Sequence, residues 1–123
     1  MIGYVTLGTN DLERAATFYD QLLATIGAAR TMELANGIAW GSSPTTPALC
    51  VLRPFDEQPA TVGNGVMVAL YVGSRDKVDA VHAKALELGA ADEGAPGPRG
   101  GGGLYAGYFR DLDGNKLNAF TIG

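Results

Sequence analysis

The chain has 123 residues, is 46% apolar and carries a net charge of −4. That suits one core-forming domain, whereas no apolar run reaches the ~20 residues of a membrane helix, and nine scattered basic residues on an acidic chain form no phosphate-binding patch. Cys50 is the only cysteine and His82 the only histidine, which excludes an intrachain disulfide, a Cys-based zinc cluster and a two-histidine metal site within one chain.

The start, Met1-Ile2-Gly3-Tyr4, has no basic leader or cleavage pattern, so a cytoplasmic protein is expected. Ile2 to Leu7 reads as a strand. Asn10, with Glu13 at capping-box spacing, opens a helix; Leu12, Ala15, Ala16, Tyr19, Leu22, Leu23 and Ile26 form its apolar stripe, and Gly27 stands where a C-cap glycine belongs. Strands are predicted near Thr31–Leu34, Gly37–Gly41 and Ala48–Arg53, separated by Asn36-Gly37 and Ser42-Ser43-Pro44 turns. The order then repeats. Val66 to Val72 is a strand, Ser74 an N-cap, and Val78, Val81, His82, Ala85, Leu86 and Leu88 a helical stripe ending at Gly89. A Gly/Pro-rich stretch runs from Gly94 to Gly103. Leu104–Arg110 and Lys116–Thr121 are strands joined by a hairpin turn at Asp111-Leu112-Asp113-Gly114-Asn115.

The halves align by number: Ala15 with Val78, Phe18 with Val81, Tyr4 with Met67 and Asp11 with Ser74 each differ by 63. Such duplication predicts an α+β chain of two βαβββ modules, 1–56 and 64–123, joined by a linker at 57–63 too short to separate two domains. Each module covers one face of a curved sheet with its helix. Strand alternation leaves the other face free, and two such sheets side by side would enclose a cavity.

Tyr4-Val5-Thr6-Leu7-Gly8-Thr9-Asn10-Asp11-Leu12-Glu13-Arg14-Ala15, Asp76-Lys77-Val78-Asp79-Ala80-Val81-His82 and Asp111-Leu112-Asp113-Gly114-Asn115-Lys116-Leu117, in this order and spacing, resemble the vicinal-oxygen-chelate superfamily of glyoxalases, bleomycin resistance proteins and dioxygenases. The resemblance spans essentially the whole chain. It implies a cavity in which four side chains, usually His and Glu, hold a divalent metal that polarises vicinal oxygens of a substrate. It places those positions on Tyr4, Met67 and Asn118, with the fourth near Cys50. Tyr, Met, Cys and Asn do not combine into an oxygen and imidazole cage, so no metal and no cofactor is expected.

The candidate ligand-binding residues are therefore Tyr4, Trp40, Cys50, Met67, Tyr105 and Asn118. Each has a plainer reading. Tyr4 is either a pocket hydroxyl or an aromatic filling a cavity mouth, and Met67 a soft apolar wall. Cys50 lies in an apolar strand with no basic neighbour in sequence, which favours an inert thiol over a nucleophile. Asn118, between Leu117 and Ala119, either binds a ligand or ties down a neighbouring strand. Trp40, Tyr105, Tyr108, Phe109 and Arg53 lie on strands that could line the cavity; Tyr105 and Phe109 share one face and Tyr108 takes the other, without either face being marked as the inner one. His82, on a helix, is expected at the core edge or surface. The Gly94–Gly103 stretch reads as a lid carrying Arg99 or as a plain connector. Glu33, Asp56 and Glu57, the carboxylates near cavity strands, fit turn or surface roles.

Three functions remain open. The first is metal-free capture of a small organic molecule, as the resemblance to bleomycin resistance proteins implies. The second is a lyase, isomerase or dioxygenase with a non-standard site. The third is a dimerisation module. A homodimer is expected from the resemblance, with partners otherwise limited to a small-molecule ligand and neither nucleic acid nor membrane.

Overall fold

A computed structural model describes all residues, 1–123. The chain divides into two compact units, Met1–Val62 and Gly63–Gly123, and the α+β expectation of two βαβββ repeats holds in each. No helix is long and apolar enough to cross a membrane.

The first unit runs β1 (Tyr4–Gly8), α1 (Leu12–Ala24), β2 (Ala29–Glu33), β3 (Gly37–Gly41) and β4 (Ala48–Leu52). Its sheet has the order β1-β4-β3-β2. β1 and β4 are parallel, because α1 carries the chain back over the sheet, whereas β3 pairs antiparallel with both β4 and β2. The N-cap of α1 is Asp11, not Asn10: the Asp11 carboxylate accepts from the Arg14 backbone N–H at 3.1 Å. Asn10 instead spans the connector, donating to the Ala60 carbonyl and accepting from the Ala60 N–H at 2.7 Å. Both are good capping types; the connector claims the first.

Ala15, Ala16, Phe18, Tyr19, Leu22 and Leu23 of α1 are buried against Leu7, Ile38, Trp40, Leu49 and Val51 of the sheet. Full burial of an aliphatic side chain such as Leu22 or Val51 contributes about 1.5–3 kcal/mol. An ion pair crosses the rim of this core. Arg30 donates two hydrogen bonds to Asp20, at 2.9 and 2.8 Å, and the Trp40 indole N–H donates a third at 2.8 Å. The Arg30 guanidinium, with the Trp40 bond assisting, holds the Asp20 carboxyl below its ordinary value of 3.8. A carboxylate whose folded pKa is depressed stabilises the fold above its unfolded pKa and loses that contribution as pH falls through the folded one. Asp20→Asn is therefore expected to lower Tm at neutral pH, and the gap from wild type should narrow as pH drops below about 4, as a paired series of thermal melts would show.

The second unit repeats the plan with β5 (Val68–Tyr71), α2 (Arg75–Glu87), β6 (Ala91–Arg99), β7 (Leu104–Arg110) and β8 (Lys116–Ile122), in sheet order β5-β8-β7-β6. Helices α1 and α2 start and end 63 positions apart, and Ser74 caps α2 by accepting from the Lys77 N–H at 3.2 Å. Val78, Val81, His82 and Ala85 pack with Phe109, Leu117 and Ala119. The expected Gly94–Gly103 loop is corrected: residues 94–99 belong to β6, and the turn is confined to the glycines that follow. Pro96 and Pro98 are tolerated because β6 is an edge strand, and its pairing with β7 carries two register shifts around Gly94. The predicted strands Ile2–Leu7, Thr31–Leu34 and Val66–Val72 are displaced or trimmed to Tyr4–Gly8, Ala29–Glu33 and Val68–Tyr71.

His82 is buried rather than at the surface. Its Nε2 lies 3.2 Å from Asp92 Oδ1 and 3.1 Å from the Tyr108 carbonyl, and its ring meets Phe109 edge-on. The first unit has Tyr19 at the matching helix position, packed on Trp40. Phe109 and Trp40 also correspond, since each pairs with a buried leucine of the adjacent strand, Leu117 and Leu49. His82 thus takes the structural place of a core tyrosine.

Candidate functional site

In each unit the helix covers one sheet face and leaves the other to strand residues of opposite parity. Register makes the two open faces comparable residue by residue. Thr6 pairs with Cys50 across β1 and β4; Ala69 pairs with Asn118 across β5 and β8. Thr6 and Ala69 are 63 apart, so Cys50 and Asn118 occupy equivalent places. By this register Cys50, near which the resemblance puts the fourth position, is the first-unit counterpart of Asn118.

On the first unit the open face forms a hollow of about 480 Å³ lined by Tyr4, Thr6, Met32, Ala39, Cys50 and Leu52, among others. Its wall is mostly apolar. Tyr4 stands at one side, 67% exposed. Burial pushes the Cys50 thiol pKa up, which favours the neutral, unreactive form. A second, more polar concavity of about 650 Å³ lies beside Thr9, Asn36, Arg53, Pro54 and Glu57, residues of the strand ends and connector.

On the second unit the open face is differently furnished. Asn118 is 4% exposed and its carbonyl oxygen has no hydrogen-bond partner in the chain. Tyr108 faces it across the β7–β8 pair. Arg99 and Lys116 both approach the Tyr108 ring, at 5.4 and 5.6 Å from its centroid. Tyr71 and Phe120, paired strand neighbours, meet edge to face at 5.6 Å. Met67 precedes β5 by one residue and is partly exposed.

Two candidates fall elsewhere. Trp40 is 1% exposed under α1, hydrogen-bonded to Asp20, so it is core and not lining. Tyr105 faces α2: its hydroxyl donates to Asp79 at 2.6 Å, and the Arg75 guanidinium sits 4.9 Å from its ring. The Asp79 carboxylate holding that proton raises the Tyr105 pKa. Alternation grouped Tyr105 with Phe109 correctly, but that pair belongs to the helix side. Thr6, Met32, Tyr71, Lys116 and Phe120 also belong to the open faces; in sequence the only sign of this is their parity with Tyr4 and Asn118.

The donor set does not suit a divalent metal. The positions implied by the resemblance hold a phenol, a thioether, a thiol and an amide, and no three His, Cys, Asp or Glu side chains come together anywhere in the chain. The one imidazole is spent between α2 and β7.

Comparison with known proteins accords with this architecture. A profile for the glyoxalase/bleomycin resistance protein/dioxygenase superfamily matches residues 1–119. The crystal structure of a glyoxalase/bleomycin resistance protein from Albidiferax ferrireducens is similar over 100% of this chain and 99% of its own, with 35% identity and a TM-score of 0.91. A putative glyoxalase from Bacillus halodurans shares 22% identity over 98% of this chain and 95% of its own, with a TM-score of 0.73. The fosfomycin resistance protein FosX from Listeria monocytogenes shares 18% identity over 98% and 92% of the two chains, with a TM-score of 0.71; these last two speak for the fold alone. A search of curated proteins gives no match. With a family profile covering nearly all its residues and a full-length relative at 35% identity, the chain belongs to the glyoxalase/bleomycin resistance protein/dioxygenase superfamily.

Proposed function

We propose that this protein binds a small organic molecule on an open sheet face and does so without a metal held by its own side chains. The observation that carries the reading is the pairing of a mostly apolar hollow of about 480 Å³ with ligand positions occupied by Tyr4, Cys50, Met67 and Asn118. Concave, apolar walls with few polar groups suit capture of organic ligands, and a phenol, thiol, thioether and amide offer hydrogen bonding and soft contact in place of cation ligation. Tyr4 and Cys50, in the hollow of the first unit, and, separately, Met67 and Asn118 of the second unit are the residues assigned to ligand contact.

The test uses 8-anilinonaphthalene-1-sulfonate as probe. Saturable binding is expected in metal-free buffer, unchanged by added Ni²⁺, Zn²⁺, Fe²⁺ or Mn²⁺. Cys50→Phe, which fills the hollow, should weaken it about tenfold or more, while the far-UV spectrum shows the fold retained. Tight stoichiometric uptake of one of these ions with a matching gain in probe affinity, or unsaturable binding indifferent to Cys50→Phe, would overturn the reading.

A further inference from the structure

The two open faces are not equivalent chemically. The first is neutral. The second carries two cations whose charge no carboxylate compensates: Arg99 bonds only to the Ala95 and Pro98 carbonyls, and Lys116 is seen only against the Tyr108 ring. Arg110, next to them in the strand order, is by contrast neutralised by Glu93 at 2.7 Å. In a chain of net charge −4, two uncompensated cations on one tyrosine are a specific local excess of positive charge.

Arg99 is held there by a seat in the backbone. It donates to the Ala95 carbonyl at 2.6 Å, folding back along β6 over two glycines. A Cβ on Gly94 would come within 3.3 Å of both the Arg99 guanidinium and the Tyr108 ring, and one on Gly97 within 3.1 Å of the guanidinium. The register shifts of β6 and its missing side chains therefore make room for this one group. Orienting a guanidinium in advance lowers the entropy lost when it binds an anion.

Beside the cations lies the buried acceptor. Asn118 sits two residues along β8 from Lys116 and directly across from Tyr108, with its carbonyl oxygen unpaired. A buried carbonyl without a donor is destabilising, and a ligand's N–H or O–H removes that penalty on binding. Its neighbour on the other side is the small Ala69, and one step further lie the Tyr71 and Phe120 rings. Along β8 the open face thus reads cation, acceptor, aromatic, at the roughly 7 Å intervals of alternate strand residues.

From this order we infer that the second unit selects an aromatic organic anion that also carries a neutral hydrogen-bond donor. Its carboxylate or similar anion meets Arg99 and Lys116, its N–H or O–H meets the Asn118 carbonyl, and its ring lies on Tyr71 and Phe120. The inference rests on the small-molecule reading above and narrows it to a ligand class.

Indole-3-acetate serves as the probe, followed by backbone amide shifts at low salt, with indole-3-acetamide and 1-methylindole-3-acetate as analogues lacking the charge and the donor. The acid is expected to give saturable shifts in β6, β7 and β8. The amide should bind about tenfold more weakly and the N-methyl acid several-fold more weakly. Arg99→Gln and Lys116→Gln should each weaken the acid while leaving the amide unchanged, and added salt should weaken the acid alone. Asn118→Leu, close in volume, should abolish the difference between the acid and its N-methyl analogue. Equal affinity for acid and amide, or indifference to both cation variants, or no binding of the acid while the naphthalene dye (itself an aromatic anion with an N–H) saturates equally well in wild type, Arg99→Gln and Lys116→Gln, overturns the ligand class and leaves small-molecule capture standing. Absence of binding by both the indoles and the dye overturns both.

Discussion

Trp40→Ala is expected to cost about 3–5 kcal/mol of folding stability, the range for truncating a fully buried large aromatic, read as a fall in the urea midpoint. The ring is 1% exposed, packs on Tyr19 at 5.5 Å and lies under α1. Its removal leaves a void that a helix already seated on Leu49 and Val51 cannot close without breaking other contacts. It also takes one of three donors from Asp20, which remains paired with Arg30. Trp40→Phe should restore much of the packing and lose the bond, costing distinctly less. Because Trp40 faces away from the hollow, dye affinity should be unchanged in either variant at temperatures where it stays folded. A loss of affinity with stability intact would return Trp40 to the ligand-contacting set.

Gly37→Ala is the second large effect, at about 3 kcal/mol, the upper end of the overpacking range. A Cβ there would lie 2.5 Å from Leu52 Cβ, 2.8 Å from the Val51 carbonyl oxygen and 3.1 Å from Leu52 Cα. Two of these are backbone atoms of the paired strand, so no rotamer change relieves the overlap and β3 must part from β4. Gly37 and Leu52 also line the hollow, so the residual folded protein should bind the dye less well. Gly101→Ala is the control: nothing lies within 4 Å of its Cβ, and its effect should stay within about 0.5 kcal/mol. Equal midpoints for the two variants would contradict the close approach of β3 and β4.

Much of the fold was legible because two signals agree. The helical stripes and the 63-residue offset both place α1 and α2, and the hairpin at Asp111–Asn115 fixes the β7–β8 pair. β6 was hidden because Gly94, Pro96, Gly97 and Pro98 argue against a strand wherever both edges are paired; the sequence does not announce which strand is outermost. Asn10 and Asp11 are equally good caps, and only the distant Ala60 decides between them. The site was half legible. Periodicity sorts Tyr105 and Phe109 from Tyr108 but carries no sign for which side the helix takes, so from sequence alone Trp40 and Tyr105 look like ligand contacts and Tyr71 and Phe120 do not. Asn118 stood out because an amide between Leu117 and Ala119 breaks an otherwise apolar strand, and its unpaired oxygen keeps that contrast in three dimensions.

The place of β8 inside its sheet, between β5 and β7, bears on biosynthesis. The first unit has all its strands by Leu52, whereas the second lacks an inner strand until Ile122 is made. N-terminal segments fold first as a chain emerges from the ribosome, so the first half can mature during translation while β5 waits for its neighbour. A chain interrupted before Leu117 would leave β5 unmated, exposing Val68 and Leu70 as a site for misassociation.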